Sequence, residues 1–136
     1  KDRRTTIEYR FLEAIERHPR CLVPGQQAGA AAAIASAEVV VSYPFTSTTT
    51  LALAAKKRAV YYDPRGTIPP NRFDALPGLV TRGYPAFKAR MEELLSPGAQ
   101  QVHERWLSRY FIPDFEPFAD GRAVERVRAL LDIMLR

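Results

Sequence analysis

A run of four hydroxyl residues, Thr46, Ser47, Thr48 and Thr49, follows a short apolar segment and precedes a helix-favouring one. The first turn of a helix has backbone N–H groups without partners and the positive end of the helix dipole. Hydroxyls at the same place add neutral donors for phosphate oxygens, so the run predicts a phosphate-binding turn. Serine and threonine also favour helix starts as plain caps, which leaves a purely structural interpretation open.

A second polar group, Asp63-Pro-Arg-Gly66, follows the next apolar segment along the chain. Arg65 can pair with a phosphate in fork geometry, because the guanidinium offers two parallel N–H donors. Asp63 can accept hydrogen bonds from a ribose or sugar hydroxyl. Asp, Pro and Gly are equally common in ordinary turns, so a turn without a ligand stays an alternative here.

These polar groups come together if the segments before them form a parallel sheet. The β-branched run Glu38–Tyr43 is typical of a strand buried on both faces, and Arg58–Tyr62 is the next expected strand. The segment Leu51–Lys57 between them favours a helix. Strand, helix and strand then make one βαβ unit of about 30 residues. Open α/β sheets bind ligands at the carboxyl ends of their strands. A third loop, Pro24–Gln27, joins this edge if Arg20–Val23 is also a parallel strand.

The remaining segments predict mainly helices. Helices are expected over Thr6–Arg17, Gln26–Ser36, Tyr84–Leu95 and Ala99–Tyr110, with a short strand over Leu79–Thr81. Pro113 and Pro117 predict a bend, and Asp120 is the expected N-cap of a last helix. The apolar stripe of that helix comprises Val124, Val127, Leu130, Leu131 and Met134. Together these elements predict one α/β domain over residues 1–136, Rossmann-like and three-layered, with a parallel sheet and C-terminal helices.

The composition and the absence of known motifs limit the kinds of site that this chain can contain. The single cysteine, Cys21, excludes an intrachain disulfide framework and a cysteine-based zinc cluster, and two histidines make a histidine-rich metal site improbable. No P-loop, GxGxxG or GxSxG motif is present, which weighs against P-loop NTPases, typical NAD enzymes and α/β hydrolases. We therefore expect no metal and no cofactor. The net charge of +5 is spread along the 136 residues, which fits an anionic ligand better than a nucleic acid.

Targeting signals are not evident in the sequence. No apolar run approaches the roughly 18 to 20 residues needed to cross a bilayer, and no apolar segment follows the basic N-terminus as in a signal peptide. The expected compartment is the cytoplasm, and the positive charge permits peripheral contact with an anionic inner membrane face. Because the sequence begins with Lys1 rather than Met, we expect a piece of a longer protein.

The stretch from Ala35 to Thr49, A-S-A-E-V-V-V-S-Y-P-F-T-S-T-T, and the following L-A-L-A-A-K-K-R-A-V-Y-Y-D, Leu51 to Asp63, resemble part of a known family. They are similar to the C-terminal half of GT-B glycosyltransferases, and most similar to bacterial enzymes that build capsule, lipopolysaccharide or other surface polysaccharides. The segment Asp114–Ala123 also resembles the sequence before the final helix of these enzymes. The resemblance extends over roughly Ala28 to Arg136.

This resemblance implies a Rossmann-like domain that binds a nucleotide-sugar donor, with Ser47, Thr48 and Thr49 holding the donor phosphates. A GT-B active site lies between two such domains, and many inverting members carry the catalytic base in the N-terminal one. This chain has no room for that domain, so the resemblance implies a missing N-terminal domain and assigns no catalytic residue here. The sequence also lacks the Glu-rich donor motif of several retaining families.

Two other functions are compatible with the same residues. One is a non-catalytic regulatory or interaction module, in which the hydroxyl run only caps a helix and the apolar C-terminal helices dock a partner. The other is a fragment of a nucleotide-sugar epimerase. Nucleotide binding distinguishes a ligand-binding domain from an interaction module.

Overall fold

The structure, a computed structural model, describes residues 6–22, 29–115, 117–118 and 120–134. The chain divides into two compact units, Lys1–Ala33 and Ile34–Arg136, so a single domain over residues 1–136 stays a prediction. In the first unit, helix α1 spans Thr6–Arg17, as predicted. Residues 20–22 form no strand, which removes the described part of the expected strand Arg20–Val23. The predicted loop Pro24–Gln27 lies outside the described residues.

The second unit is built on a three-stranded parallel sheet. Strands β1 (Val39–Ser42), β2 (Arg58–Asp63) and β3 (Val80–Arg82) lie side by side in the order β1-β2-β3. Ser42 of β1 pairs with Tyr61 of β2, and Tyr61 pairs with Val80 of β3, in each case with parallel strands. The prediction of an α/β fold with a parallel sheet is therefore confirmed.

Helices and short turns connect and cover these strands. Their bounds are α2 Ala30–Ser36, α3 Ser47–Ala54, a 3₁₀ turn Arg72–Ala75, α4 Tyr84–Leu95, α5 Ala99–Trp106, a π-helical turn Leu107–Phe111, α6 Ile112–Phe115 and α7 Ala123–Met134. Helix α4 is confirmed at both ends. Helix α2 begins at Ala30, and residues 26–28 of its predicted range lie outside the described residues. Helix α3 begins within the hydroxyl run and ends at Ala54, before the predicted Lys57. None of the helices in the described ranges has the length and apolarity to cross a membrane.

The core is centred on β2, as expected for the middle strand of a parallel sheet. Val60 and Tyr61 are fully buried, and Tyr61 forms one apolar cluster with Ala52 and Leu53 of α3. Leu107 also belongs to it, so the π-helical turn packs on the core that α3 covers. Tyr61 is the largest fully buried side chain of the described residues, and its position at the end of the sheet matters for the site.

Of the two prolines predicted to mark a bend, Pro117 lies in one, whereas Pro113 does not. Pro113 lies inside α6, and the helical path runs from α5 through the π-helical turn into α6. Proline cannot donate the usual hydrogen bond to the carbonyl four residues earlier. The wider turn immediately before α6 changes the hydrogen-bond spacing where that donor is missing. The chain leaves the helix only after Phe115.

The prediction of Asp120 as the N-cap of α7 is wrong, because α7 begins at Ala123 and the Arg122 carbonyl accepts the Arg126 amide, which makes Arg122 the N-cap. Asp120 lies two residues earlier and binds the chain at the start of the helix. Its carboxylate accepts the Arg122 amide at 3.0 Å and pairs with the Arg126 guanidinium at 2.6 Å. These contacts, the Arg126 hydrogen bond above all, lower the pKa of Asp120 to about 2. The apolar side chains of α7 are nevertheless exposed; they are Val124, Val127, Leu130, Leu131, Ile133 and Met134.

Two leucine truncations test this distribution of buried surface. Leu107 is 3% exposed and Leu130 is 60% exposed. Leu107→Ala should lower the free energy of unfolding by about 2–5 kcal/mol, because it leaves a cavity in the core. Leu130→Ala should change the free energy of unfolding by less than about 0.5 kcal/mol. Urea denaturation followed by circular dichroism measures both, and equal losses would contradict this core.

Candidate functional site

The candidate site is the carboxyl edge of the sheet. Because β1 and β2 are parallel, the segment 43–46 and the turn 64–66 leave the sheet at the same edge. The 3₁₀ turn Arg72–Ala75 is tied to this edge as well, since Asp74 pairs with Arg82 at the end of β3 over 2.5 Å. The hydrogen bond from Arg82 holds the pKa of the Asp74 carboxyl below its usual value.

The turn from β1 into α3 reads Pro44-Phe45-Thr46-Ser47 and depends on an unusual backbone conformation. Phe45 has a φ of 67°, in the left-handed region that few residues other than glycine adopt. That conformation costs about 1–2 kcal/mol for an L-residue. The Phe45 ring contacts the rings of Tyr61 and Phe73 at centroid distances of 5.6 and 5.7 Å. Each such pair contributes about 0.5–1.5 kcal/mol, enough in sum to offset the strain.

The hydroxyl of Tyr61 holds the next residue of the turn. It donates to the Thr46 carbonyl over 2.9 Å and lies 3.2 Å from the Thr50 hydroxyl. Burial raises the pKa of the Tyr61 phenol, with the Thr50 hydrogen bond acting in the opposite direction. The phenol therefore stays protonated at neutral pH and remains a donor. A buried core residue thus fixes the backbone where α3 begins.

Thr46 stands at the N-cap of α3, but its side chain does not cap the helix. Its hydroxyl turns back toward β1 instead, 3.1 Å from the Tyr43 carbonyl and 3.0 Å from the Ser42 hydroxyl. Ser42 lies 2.6 Å from the Thr49 hydroxyl. The hydroxyls that usually satisfy helix amides are therefore occupied with one another. The alternative interpretation of this run, in which Thr46 simply caps the helix with its side chain, does not fit the observed hydrogen bonds.

The predicted residues of the hydroxyl run differ in accessibility. Thr46 and Ser47 are exposed, Thr48 is half-buried, and Thr49 is fully buried. The Thr49 hydroxyl faces Ser42 inside the protein, so only the first part of the run presents hydroxyls to solvent. Helix α3 has no acidic residue in its first turn, which leaves its positive end without a negative side chain of its own.

Asp63 and Arg65, the other predicted residues, occupy one tight turn. The Asp63 side chain is 1% exposed and accepts the amides of Arg65, Gly66 and Ile68 at 3.2, 2.9 and 2.9 Å. Gly66 has a φ of 64°, which explains a glycine here. Asp63 therefore organises the turn, and its predicted contact with a sugar hydroxyl stays a prediction. Arg65 is exposed at the edge.

A further arginine, which the sequence analysis did not single out, lies at the same edge. Arg72 is exposed, and its guanidinium carbon lies 4.0 Å from the centroid of the Phe115 ring. Among the described residues, neither Arg65 nor Arg72 forms an ion pair, whereas Arg82 is paired with Asp74. The edge thus combines an uncapped helix start with two unpaired guanidinium groups, an arrangement suited to an anion.

A cavity of about 630 Å³ lies elsewhere, near the opposite end of α3. Its lining is mostly apolar and includes Leu53, Leu107 and Phe111, with Lys56 and Glu104 as its charged members. None of the six predicted residues lines it. We place the candidate site at the carboxyl edge because the donors suited to phosphate are there. Within the described ranges, no cluster of His, Cys, Asp or Glu could hold a metal ion.

Removing the Tyr61 hydroxyl tests whether it supports this turn. Tyr61→Phe keeps the ring contacts and removes both hydroxyl interactions, so the free energy of unfolding should fall by about 1–2 kcal/mol. Tyr84→Phe is the control, because Tyr84 is 62% exposed and should change it by less than about 0.5 kcal/mol. Urea denaturation measures both variants. A Tyr61→Phe protein as stable as the wild type would refute the support assigned to this hydroxyl.

Comparison with known proteins gives a family for this chain. A family model described as "Polysaccharide biosynthesis PFTS motif protein" matches residues 2–91, about two thirds of the sequence. The matched region contains all three strands and the turn Pro44-Phe45-Thr46-Ser47, whose one-letter sequence is P-F-T-S. Comparisons with curated proteins and with solved structures returned no match. The chain therefore belongs to the polysaccharide biosynthesis PFTS motif protein family, which supports a role in polysaccharide biosynthesis.

Proposed function

We propose that this chain is the donor-binding domain of a glycosyltransferase and holds the phosphates of a nucleotide-sugar at the carboxyl edge of its sheet. The observation that carries the proposal is the uncapped start of α3, where the Thr46 hydroxyl is turned back toward Tyr43 and Ser42. Free amides at a helix start bind phosphate oxygens, and the helix dipole favours the negative charge. Membership of a polysaccharide biosynthesis family makes an activated sugar the natural ligand.

The chemistry of transfer is assigned to a second, N-terminal domain. The described residues at the edge bind and orient anions, but none of them is placed as a general base. The resemblance to GT-B enzymes supports the same division, with the acceptor site and the base supplied by another domain. On this proposal the chain alone binds nucleotide weakly and transfers little sugar. The reaction takes place on the cytoplasmic side, where peripheral contact of the basic protein with the inner membrane gives access to lipid-linked acceptors.

Two substitutions of Ser47 separate the contribution of its amide from that of its hydroxyl. Ser47 is the first residue of α3, a position where proline is favoured, and Thr46 has the extended backbone (ψ 153°) that a following proline requires. Ser47→Pro therefore removes one amide donor together with the hydroxyl while preserving the helix start. Ser47→Ala removes only the hydroxyl.

Isothermal titration with UDP, CMP, GDP and CDP should identify a nucleotide that binds the wild-type chain. Ser47→Ala should then weaken binding about fivefold, and Ser47→Pro more than about tenfold, because an amide bonded to a charged oxygen contributes about 1.5–3 kcal/mol. Ser108→Ala is the control, since Ser108 is an exposed hydroxyl on another element that donates to the Glu104 carbonyl. Binding that ignores both Ser47 variants would remove the site from this turn.

A second candidate function, an interaction module, is favoured by α7. Its six large apolar side chains are all at least 50% exposed, and such a stripe marks a surface that docks another protein or domain. The two functions are not exclusive, because a donor domain must also meet its partner domain. The absence of any nucleotide response in the titrations would favour the interaction module alone.

A further inference from the structure

We propose that Arg72 is a second anion contact of the carboxyl edge and takes the second oxyanion of a ligand whose first phosphate lies at the start of α3. The inference rests on the proposed function and deepens it, because it assigns the donor two separated negative groups. The second group is either the other phosphate of a nucleoside diphosphate or a carboxylate on the sugar. Both present two oxygens to a guanidinium in the same geometry.

Arg72 stands on a rigid turn. The Asn71 side chain accepts the Phe73 amide at 2.9 Å, and the Asp74 side chain accepts the Asn71 amide at 2.8 Å, which together close a capping box around the turn. The other oxygen of Asp74 binds Arg82 at the end of β3. The backbone that carries Arg72 is thus fixed to the sheet before any ligand binds.

A row of aromatic rings connects this turn to the start of α3. Phe45 of the PFTS turn stacks on Phe73 at 5.7 Å, and Phe73 stacks on Phe115 at 5.1 Å. The Arg72 guanidinium lies over Phe115 at 4.0 Å and is 6.0 Å from the Phe73 centroid. Phe73, the neighbour of Arg72 in the chain, thus contacts both the Phe45 ring of the PFTS turn and the Phe115 ring under the guanidinium.

The Arg72 guanidinium is held in place, and no acidic side chain of the described residues neutralises it. The Phe115 ring under the face of the guanidinium orients this group by a cation–π contact. The contact leaves the N–H groups at the guanidinium edge free for a planar oxyanion. Its recorded hydrogen bond in the described part of the chain is a long one, 3.5 Å, to the Asp114 carbonyl. No carboxylate of the described residues pairs with it.

The test uses four ligands and the full chain. UMP and UDP differ by one phosphate, and UDP-glucose and UDP-glucuronate differ by one sugar carboxylate; another base replaces uridine if the titrations above select it. Arg72→Gln should leave UMP binding unchanged. It should reduce either the preference for UDP over UMP or the preference for UDP-glucuronate over UDP-glucose by about tenfold, since a charge-assisted pair contributes about 1.5–3 kcal/mol. The first result identifies a phosphate and the second a carboxylate.

Three further variants keep the result interpretable. Arg72→Lys retains the charge without the planar fork and should lose part of the preference. Phe115→Leu removes the ring under the guanidinium and should lose part of it too, with thermal unfolding confirming the fold. Arg109→Gln is the matched control, because Arg109 is also exposed and lies over an aromatic ring, that of Tyr110, on a different element.

Two outcomes overturn the inference, and they can be told apart. If Arg72→Gln changes neither preference, or weakens all four ligands equally, Arg72 is not a second anion contact although the α3 site stands. If the wild-type chain binds none of the nucleotides tested, the proposed donor site is wrong, and so is the role proposed for Arg72.

Discussion

The hydrogen bond from the buried Tyr61 hydroxyl to the Thr46 carbonyl links the core of this protein to its candidate site. Tyr61 lies on the central strand and is fully buried, so its hydroxyl position is set by the packing of the whole sheet. Together with the Phe45 ring contacts, that bond holds a strained backbone turn in place. The strain is informative, because such conformations persist only where the surroundings over-determine them and are concentrated at functional sites.

That turn has an electrostatic consequence. With Thr46 turned toward β1 and Thr49 bonded to Ser42, the start of α3 has no side-chain cap from Thr46 and no acidic residue in its first turn. Arg65 and Arg72 add positive charge at the same edge and pair with no carboxylate in the described part of the chain, while Asp63 is occupied by backbone amides. The polar groups of the edge thus have two roles. The buried ones form the hydrogen bonds that stabilise the turns, and the exposed ones are hydrogen-bond donors. The proposed ligand, a phosphate-bearing sugar donor, matches that division, and the family supports a role in polysaccharide biosynthesis.

The sequence predicted those parts of the fold that depend on local patterns. The β-branched runs located β1 and β2, and the helical spacing located α1 and α4 at both ends. The sequence could not predict that Thr49 and Asp63 would be buried. A threonine or an aspartate is the same residue in the sequence whether its side chain faces solvent or the interior. Arg72 was missed because its position depends on Phe115, distant in sequence. The bend at Pro113 was mispredicted because a π-helical turn accommodates the backbone N–H that proline lacks. No residue pattern in the sequence predicts such a turn.

Mapping the backbone amide resonances of the wild-type chain during a titration with UDP, or with whichever nucleotide binds, tests directly whether a phosphate binds at the start of α3. The largest shift changes should fall on Ser47, Thr48 and Thr49, whose amides form the first turn of α3, with smaller changes at Arg65 and Arg72. Shift changes confined to residues around the cavity at the other end of α3, such as Leu53, Lys56 and Leu107, would contradict a phosphate site at the start of α3.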